Sequence, residues 1–383
     1  MKDIFKFLFV VAWLTAVCTM TAAREYFRVI DSRMGLPDNT VTDIVQDARG
    51  YIWLGTSNGM CRYDGVTFTT FRHNPDDDTS LSSSFVNALA VDKAGIFAGT
   101  NSCLDLYSFS TGKFVHCFYE EGARRSRISQ SIQSVVSVAG RTFYADASGG
   151  LYANRSGDIC TFRRVARNFR AYSLCRYEGD MLLAACADGI RMLTSGGSVV
   201  AFCPYKSGGP LEKLNISYIP YNHTAYVGSG LGFASAAFTV SRNSITRSTV
   251  YSPKDLTCAI PFKGGTLFGT DGHGVELWRN GRVNVYNTTT SVMSGNVVYS
   301  LFVDRVGDFW VGTYRSGLNH YTGESSLFTL FNKDNGKLSF NIVTSIVPAD
   351  EKIYIGLDGG GLDIYNRKTH SLTRLSTDNS GKD

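Results

Sequence analysis

Gly55-Thr56-Ser57-Asn58-Gly59 has the glycine density of a loop that cradles phosphate. Such a loop also needs a Gly-Lys-Ser/Thr run and a helix behind it, and neither follows. Turn geometry accounts for the glycines instead, with Gly59 supplying the backbone freedom of a hairpin. Asp76-Asp77-Asp78 offers three carboxylates without calcium-loop spacing and reads as a solvated loop. The 6 His fall in separate parts of the chain and never pair at metal-ligand spacing. None of the 9 Cys lies in a C-x-x-C pair, so zinc and thioredoxin-like chemistry lack support. They read as small buried hydrophobes, with a Cys175–Cys186 bridge between neighbouring strands left open. Paired carboxylates for glycoside hydrolysis could meet across a folded surface, but nothing in the sequence selects a pair. The expectation is no catalytic residue, no metal and no cofactor.

The elements that would position a site are strands. The 383 residues include 39 Gly, 8 Pro, 24 Phe and 20 Tyr, a composition that favours short strands with frequent turns. No amphipathic helix stands out. A short motif recurs: an apolar strand, a Gly or Ala anchor, a turn, and a second strand. The anchors are Gly55, Gly99, Ala145, Ala185, Gly228, Gly269, Gly312 and Gly356. They are 40 to 46 residues apart, the period of a propeller blade with four antiparallel strands. In each unit an apolar strand precedes the anchor and should lie innermost, as in Val41 to Val45 or Val297 to Val303. A fourth strand, such as Phe68 to Phe71 or Leu327 to Phe331, should form the outer edge. Tyr26 to Ile30 looks like a fourth strand with no blade of its own, suited to closing a ring by pairing with a late blade. Trp53 and Trp310 sit beside anchors, where packing between blades is expected; Trp278 falls in a third strand.

The first residues carry a different signal. Lys2 and Lys6 flank an apolar run from Phe7 to Cys18, and Thr21-Ala22-Ala23 offers small residues for cleavage. Residues 1–23 are expected to be a signal peptide, and export would permit disulfides. The net charge of +5 comes from scattered basic residues, which disfavours nucleic acid as a partner.

At Asp47 to Gly65 and at Asp304 to Leu318 the chain resembles the two-component-regulator propeller repeat. Gly35-Leu36-Pro37-Asp38-Asn39-Thr40-Val41 fits the same pattern. The whole is similar to the periplasmic sensor region of hybrid two-component systems of glycan-degrading gram-negative bacteria. The resemblance spans about residues 25–375; units three to five depart from it, with Ala145 and Ala185 at the anchor. It implies an all-β fold: a seven-bladed propeller over 24–331, then an eighth repeat over 332–383 that begins a second ring. A single eight-bladed ring is the alternative. It also implies kinase and immunoglobulin-like domains downstream, absent from this chain, and leaves a homodimer open.

In a propeller the turns after the second and fourth strands share one face, and loops on a rigid scaffold commonly carry binding residues. Those turns place Asn58, Asn101, Asp146, Asp188, Asp271, His273, Tyr314, Arg315 and Asp358 on one rim. Tyr314 and Arg315 are the first choice for stacking on, and hydrogen-bonding to, a hydroxyl-rich or anionic sugar. The expected function is a periplasmic module that senses a polysaccharide-derived oligosaccharide and signals to a kinase. A propeller lyase or glycosidase, or a protein-interaction propeller, are the rivals.

Overall fold

A computed structural model describes residues 27–322 except 156, 206–213 and 229–234, and then 331, 333, 338–369 and 371–375. The signal-peptide segment lies outside them. Among the described residues no helix is long and apolar enough to cross a membrane. The chain divides into two units, 1–323 and 324–383. The first therefore ends eight residues short of the expected boundary at 331.

Unit 1 holds seven described sheets, antiparallel but for one added strand pair. Their inner strands are Val41–Gln46, Val86–Val91, Ile132–Val138, Ala171–Arg176, Asn215–Ile219, Leu256–Phe262 and Val298–Val303. Each inner strand packs on the next, and the last packs back on the first, which closes the cycle. These sheets are called blades 1 to 7 below. Phe27–Ile30 takes the outer place of blade 7, with Phe27 opposite Tyr321 and Ile30 opposite Leu318. The expected outer strand there, Leu327 to Phe331, falls almost wholly outside the described residues; Phe331 itself is not in a strand.

The anchor glycines answer to packing between blades. A Cβ at Gly55 would sit 3.0 Å from Val86 Cγ1 of blade 2, and one at Gly312 2.9 Å from Val41 Cγ1 of blade 1. Ala145 carries the extra methyl because the facing residue has shrunk to Ala171; the two share one core cluster.

Inner strands have a free edge, and side chains close it. The Asp43 carboxylate accepts the Leu89 N–H of blade 2 at 2.7 Å. Ser134 accepts from Leu174 at 3.0 Å, Ser173 from Ile216 at 3.2 Å and Ser217 from Ala259 at 3.0 Å. The Cys258 sulfur takes the Leu301 N–H. Two joints lack this bond. Ala88 has no acceptor to offer blade 3. Ser300 Oγ of blade 7 has no partner, while Ile44 N–H of blade 1 donates to Asp43 at 2.8 Å.

Burial raises the Asp43 pKa from 3.8 to about 6, against the pull of the Leu89 and Ile44 amides. A carboxyl whose pKa rises on folding stabilises the fold fully below its unfolded value, and that benefit is lost as pH climbs through the folded value. Asp43→Asn keeps an acceptor and cannot ionise. Its melting temperature relative to the parent is expected to climb between pH 4 and pH 7. A difference that stays flat over that window would remove Asp43 as the titrating group.

All eight described cysteines are free. The Cys175–Cys186 bridge fails on register, since Cys186 faces Ala171 and Cys175 faces Leu183.

Unit 2 is a single four-stranded sheet, Val343–Ala349, Lys352–Leu357, Gly361–Asn366 and Leu372–Leu375. Its small core gathers Leu338, Ile355 and Leu357. The inner strand is exposed along its length. Ile346, at the place held by buried Ile44 and Leu89 in unit 1, is 63% exposed.

Candidate functional site

Each repeat builds its turns from a few polar side chains. Asp47 Oδ1 accepts the Arg49 and Tyr51 amides, and Oδ2 takes Trp53 Nε1 at 2.9 Å. Asp304 holds the Val306 and Asp308 amides and Trp310 Nε1 in the same way. Thr56 and Thr313 hydroxyls, just after the anchor, donate to the Gly59 and Gly317 carbonyls across the next turn. Gly59 has φ +121°, which an L side chain rarely adopts. Gly55 to Gly59 also has Gly-x-Ser-x-Gly spacing. A nucleophile elbow needs a helix after the strand; here the strand Gly59–Tyr63 follows.

Two groups have metal-like proximity that sequence spacing did not show: Cys103, Asp105 and His116, and Asp304, Asp308 and His320. Their carboxylates are already occupied. Asp105 takes the Ser82 amide and hydroxyl on one oxygen and His116 Nδ1 on the other. Asn319 and Asp363 clamp the linker residues Ser294 and Ser339 in the same way. These are structural clamps, with Asp105, Asn319 and Asp363 all fully buried. In the Asp76–Asp78 loop, Asp77 caps the Thr79 amide and hydroxyl.

The predicted rim residues do occupy the turns between second and third strands, but they are not equivalent. Asp146 is 1% exposed and folds its own turn, accepting from Ser148 and Gly150. Asp188 is tied to Arg191 by two bonds, and that guanidinium lies between Phe169 and Phe202. Asn58 uses its backbone, donating to Thr56 and accepting from Arg72. Asp358 belongs to unit 2, whose sheet has its own core, and so is outside the seven-sheet ring.

The remaining five gather in two places. Asn101 Oδ1 accepts from Asn87 at 2.9 Å and from Ser131 at 3.3 Å, and Gln133 in turn donates to Ser131. Tyr314 lies 5.4 Å from Tyr299, ring to ring, and Arg315 covers Tyr314 at 4.8 Å. Asp271 is bridged to Val297, whose carbonyl also accepts the Tyr314 amide. Exposed His273 lies 3.8 Å from Asp255, whose carbonyl accepts the Asp271 amide. Burial, then the neighbouring Tyr314 and Asp271, raise the Tyr299 phenol pKa, with Arg315 opposing.

Tyr299, Asn87 and Gln133 were missed as candidates. In six of the seven inner strands the register skips the second residue, leaving Thr42, Asn87, Gln133, Tyr172, Thr257 and Tyr299 outside the ladder. A bulge re-aims its side chain. These bulges sit at the end of each inner strand that faces the second-to-third turns, so the polar turn residues and the bulged residues share one end of the ring. Tyr299 and Tyr314 are 40% and 37% exposed there. The arrangement offers two aromatic faces, a guanidinium, a carboxylate and amides, which can stack and hydrogen-bond; no nucleophile with a base beside it is among them.

Comparison with known proteins agrees with this architecture. The model of the two component regulator propeller matches residues 35–58 and 293–315, the segments that lead into the Asp47–Trp53 turn and surround the Asp304–Trp310 turn. Histidine kinase P4 of Formosa agariphila is 48% identical over 48 residues, 12% of this chain and 4% of the kinase. The extracellular domain assigned to the hybrid two component system BT3049 of B. thetaiotaomicron superposes with TM-score 0.62 at 19% identity, covering 92% of this chain and 49% of that one. That of BT4673 from the same organism gives 0.62 at 14%, covering 93% and 48%. A streptogramin B lyase shares the fold with TM-score 0.58 at 12% identity, over 78% of this chain and 97% of the lyase. The chain thus spans about half the length of the two extracellular domains and a small part of the kinase. The chain is an all-β propeller that carries the two component regulator propeller repeat.

Proposed function

We propose that this protein is the exported sensing propeller of a hybrid two-component regulator, working in the periplasm and binding a polysaccharide-derived oligosaccharide. The observation that carries the reading is the exposed Tyr299–Tyr314–Arg315 group beside Asp271. Paired rings suit the apolar faces of sugar rings, while the guanidinium and carboxylate suit hydroxyls or an acidic substituent. The propeller binds and has no catalysis of its own; its output passes to kinase domains of a longer protein, with or without a homodimer. In this reading unit 2 is the first blade of a further ring, and its exposed inner strand is where the following blade packs.

Isothermal titration of the purified chain against a panel of neutral and acidic glycan fragments tests this. At least one fragment should bind without being cleaved. Tyr299→Ala and Tyr314→Ala are each expected to weaken it about tenfold, the loss of ~1.4 kcal/mol of stacking. Turnover of a fragment would make the chain an enzyme, and binding indifferent to both substitutions would place the site elsewhere.

A further inference from the structure

Blade 3 differs from its neighbours. It has six strands, because a hairpin, Phe118–Glu121 and Arg124–Arg127, leaves the end of blade 2 and joins the outer edge of blade 3. The first of these strands runs parallel to Asp158–Ala166, with Phe118 opposite Thr161 and Tyr119 opposite Phe162. One step back along both strands brings Cys117 beside Cys160. Adjacent strands lie ≈ 4.8 Å apart, inside the Cα separation that a disulfide spans. The two thiols are close enough to perturb one another's ionisation. Cys117 is fully buried, Cys160 half-buried, and both belong to one cluster with Cys103. Cys103 is not the natural partner, since the Cys117 amide bonds to the Leu104 carbonyl and so sets Leu104 opposite Cys117.

We propose that Cys117 and Cys160 form a disulfide that fastens the inserted hairpin, and with it the end of blade 2, to the outer strand of blade 3. The two thiols are unequal. Contact with Cys117 lowers the Cys160 pKa, whereas burial and then Cys160 raise that of Cys117. Cys160 is therefore the attacking thiolate. With a small disulfide such as oxidised glutathione, Cys160 attacks one sulfur and expels one glutathione thiolate. Cys117 then loses its proton, its sulfur attacks that of Cys160, and the second glutathione thiolate leaves. Two protein thiols are oxidised and one external disulfide is reduced to two thiols.

The test uses the purified full chain, held either in oxidised glutathione or in dithiothreitol. Peptide mapping by mass spectrometry should find a Cys117–Cys160 linked peptide only in the oxidised sample. The melting temperature should be about 5 °C higher there, as expected for a bond closing a loop of about 43 residues, and should fall back on reduction. Cys160→Ser should abolish both the linkage and the shift, while Cys103→Ser should leave both. A folded oxidised sample with no such peptide, with Cys117 linked to Cys103, or with glutathione retained on Cys160 would overturn the proposal. The parent protein alone decides this, even if a serine variant fails to fold.

Discussion

Trp53→Ala is expected to lower the unfolding free energy by about 3–5 kcal/mol, the range for deleting a fully buried large aromatic. The indole is 1% exposed. It stacks on Phe71 at 5.8 Å within blade 1 and meets Tyr107 of blade 2 at 5.0 Å, so its removal opens a void between two blades. It also strips Asp47 Oδ2 of its donor in a site that is itself 1% exposed. Trp53→Phe separates the two losses. The phenyl ring restores most of the packing and leaves only the hydrogen bond missing, a deficit of about 1–3 kcal/mol. Urea unfolding of the three proteins checks the ordering. A loss of less than ~1 kcal/mol in the alanine variant would mean that the indole is not wedged between blades.

Phe27→Ala should cost about as much, ~3–5 kcal/mol, for a different reason. Phe27 is 4% exposed and meets Tyr286, Phe309 and Tyr321 at 5.2 to 5.9 Å. It anchors the strand that, among the described residues, pairs the start of unit 1 with its last blade. Its loss weakens a closure made by residues almost 300 positions apart in sequence, besides leaving a cavity. Met34→Ala, at a position 48% exposed just beyond that strand, should change stability by no more than about 0.5 kcal/mol. Equal costs at the two positions would show that the strand contributes no closure.

The period of the fold was legible because every blade repeats a hairpin around a small anchor residue, and blades 1 and 7 add a turn closed by Asp and Thr. The cause of the anchor was not legible. Gly55 has ordinary backbone angles, and its small size answers to Val86, a residue of the next unit. For the same reason Ala145 looked like decay of the repeat until Ala171 was seen opposite. The bulged residues did leave a signature: an apolar residue, a polar or aromatic one, then a small one, as in Val86-Asn87-Ala88, Ile132-Gln133-Ser134 and Val298-Tyr299-Ser300. The signature lies on the strand just before the anchor, with its small third residue paired opposite it, as Ala88 is to Gly99, but its middle residue changes type from unit to unit and so does not read as a repeat. The outer strand of blade 7 was ambiguous, because Phe27–Ile30 and Leu327 to Phe331 are both short apolar segments. Pairing across the whole unit cannot be weighed from local pattern. On the rim, Tyr314 and Arg315 stood out by type and the other seven turn residues looked interchangeable. Asp146 and Asp188 are consumed by their own turns, and only neighbours from other strands add Asp271, Asn101 and the missed Tyr299 to that pair.

The missing hydrogen bonds at Ala88 and Ser300 set two of the seven joints apart. The acceptor at this one inner-strand position is present from blade 1 to 2 and from blade 3 round to 7, and is missing between blades 2 and 3 and between blades 7 and 1. What crosses these two joints at the bulged end is the candidate ligand face: Asn87 reaches the Ile132 carbonyl at 2.9 Å over the first, and the Arg315 amide reaches Thr40 at 3.2 Å over the second. Away from that end the same two joints are bridged by other means: Gln46 Oε1 of blade 1 accepts the Arg305 amide of blade 7 at 3.1 Å, and the hairpin from blade 2 pairs with the outer strand of blade 3. Asn101 and Arg315 stand at those two joints, so a ligand held there would touch two blades at once.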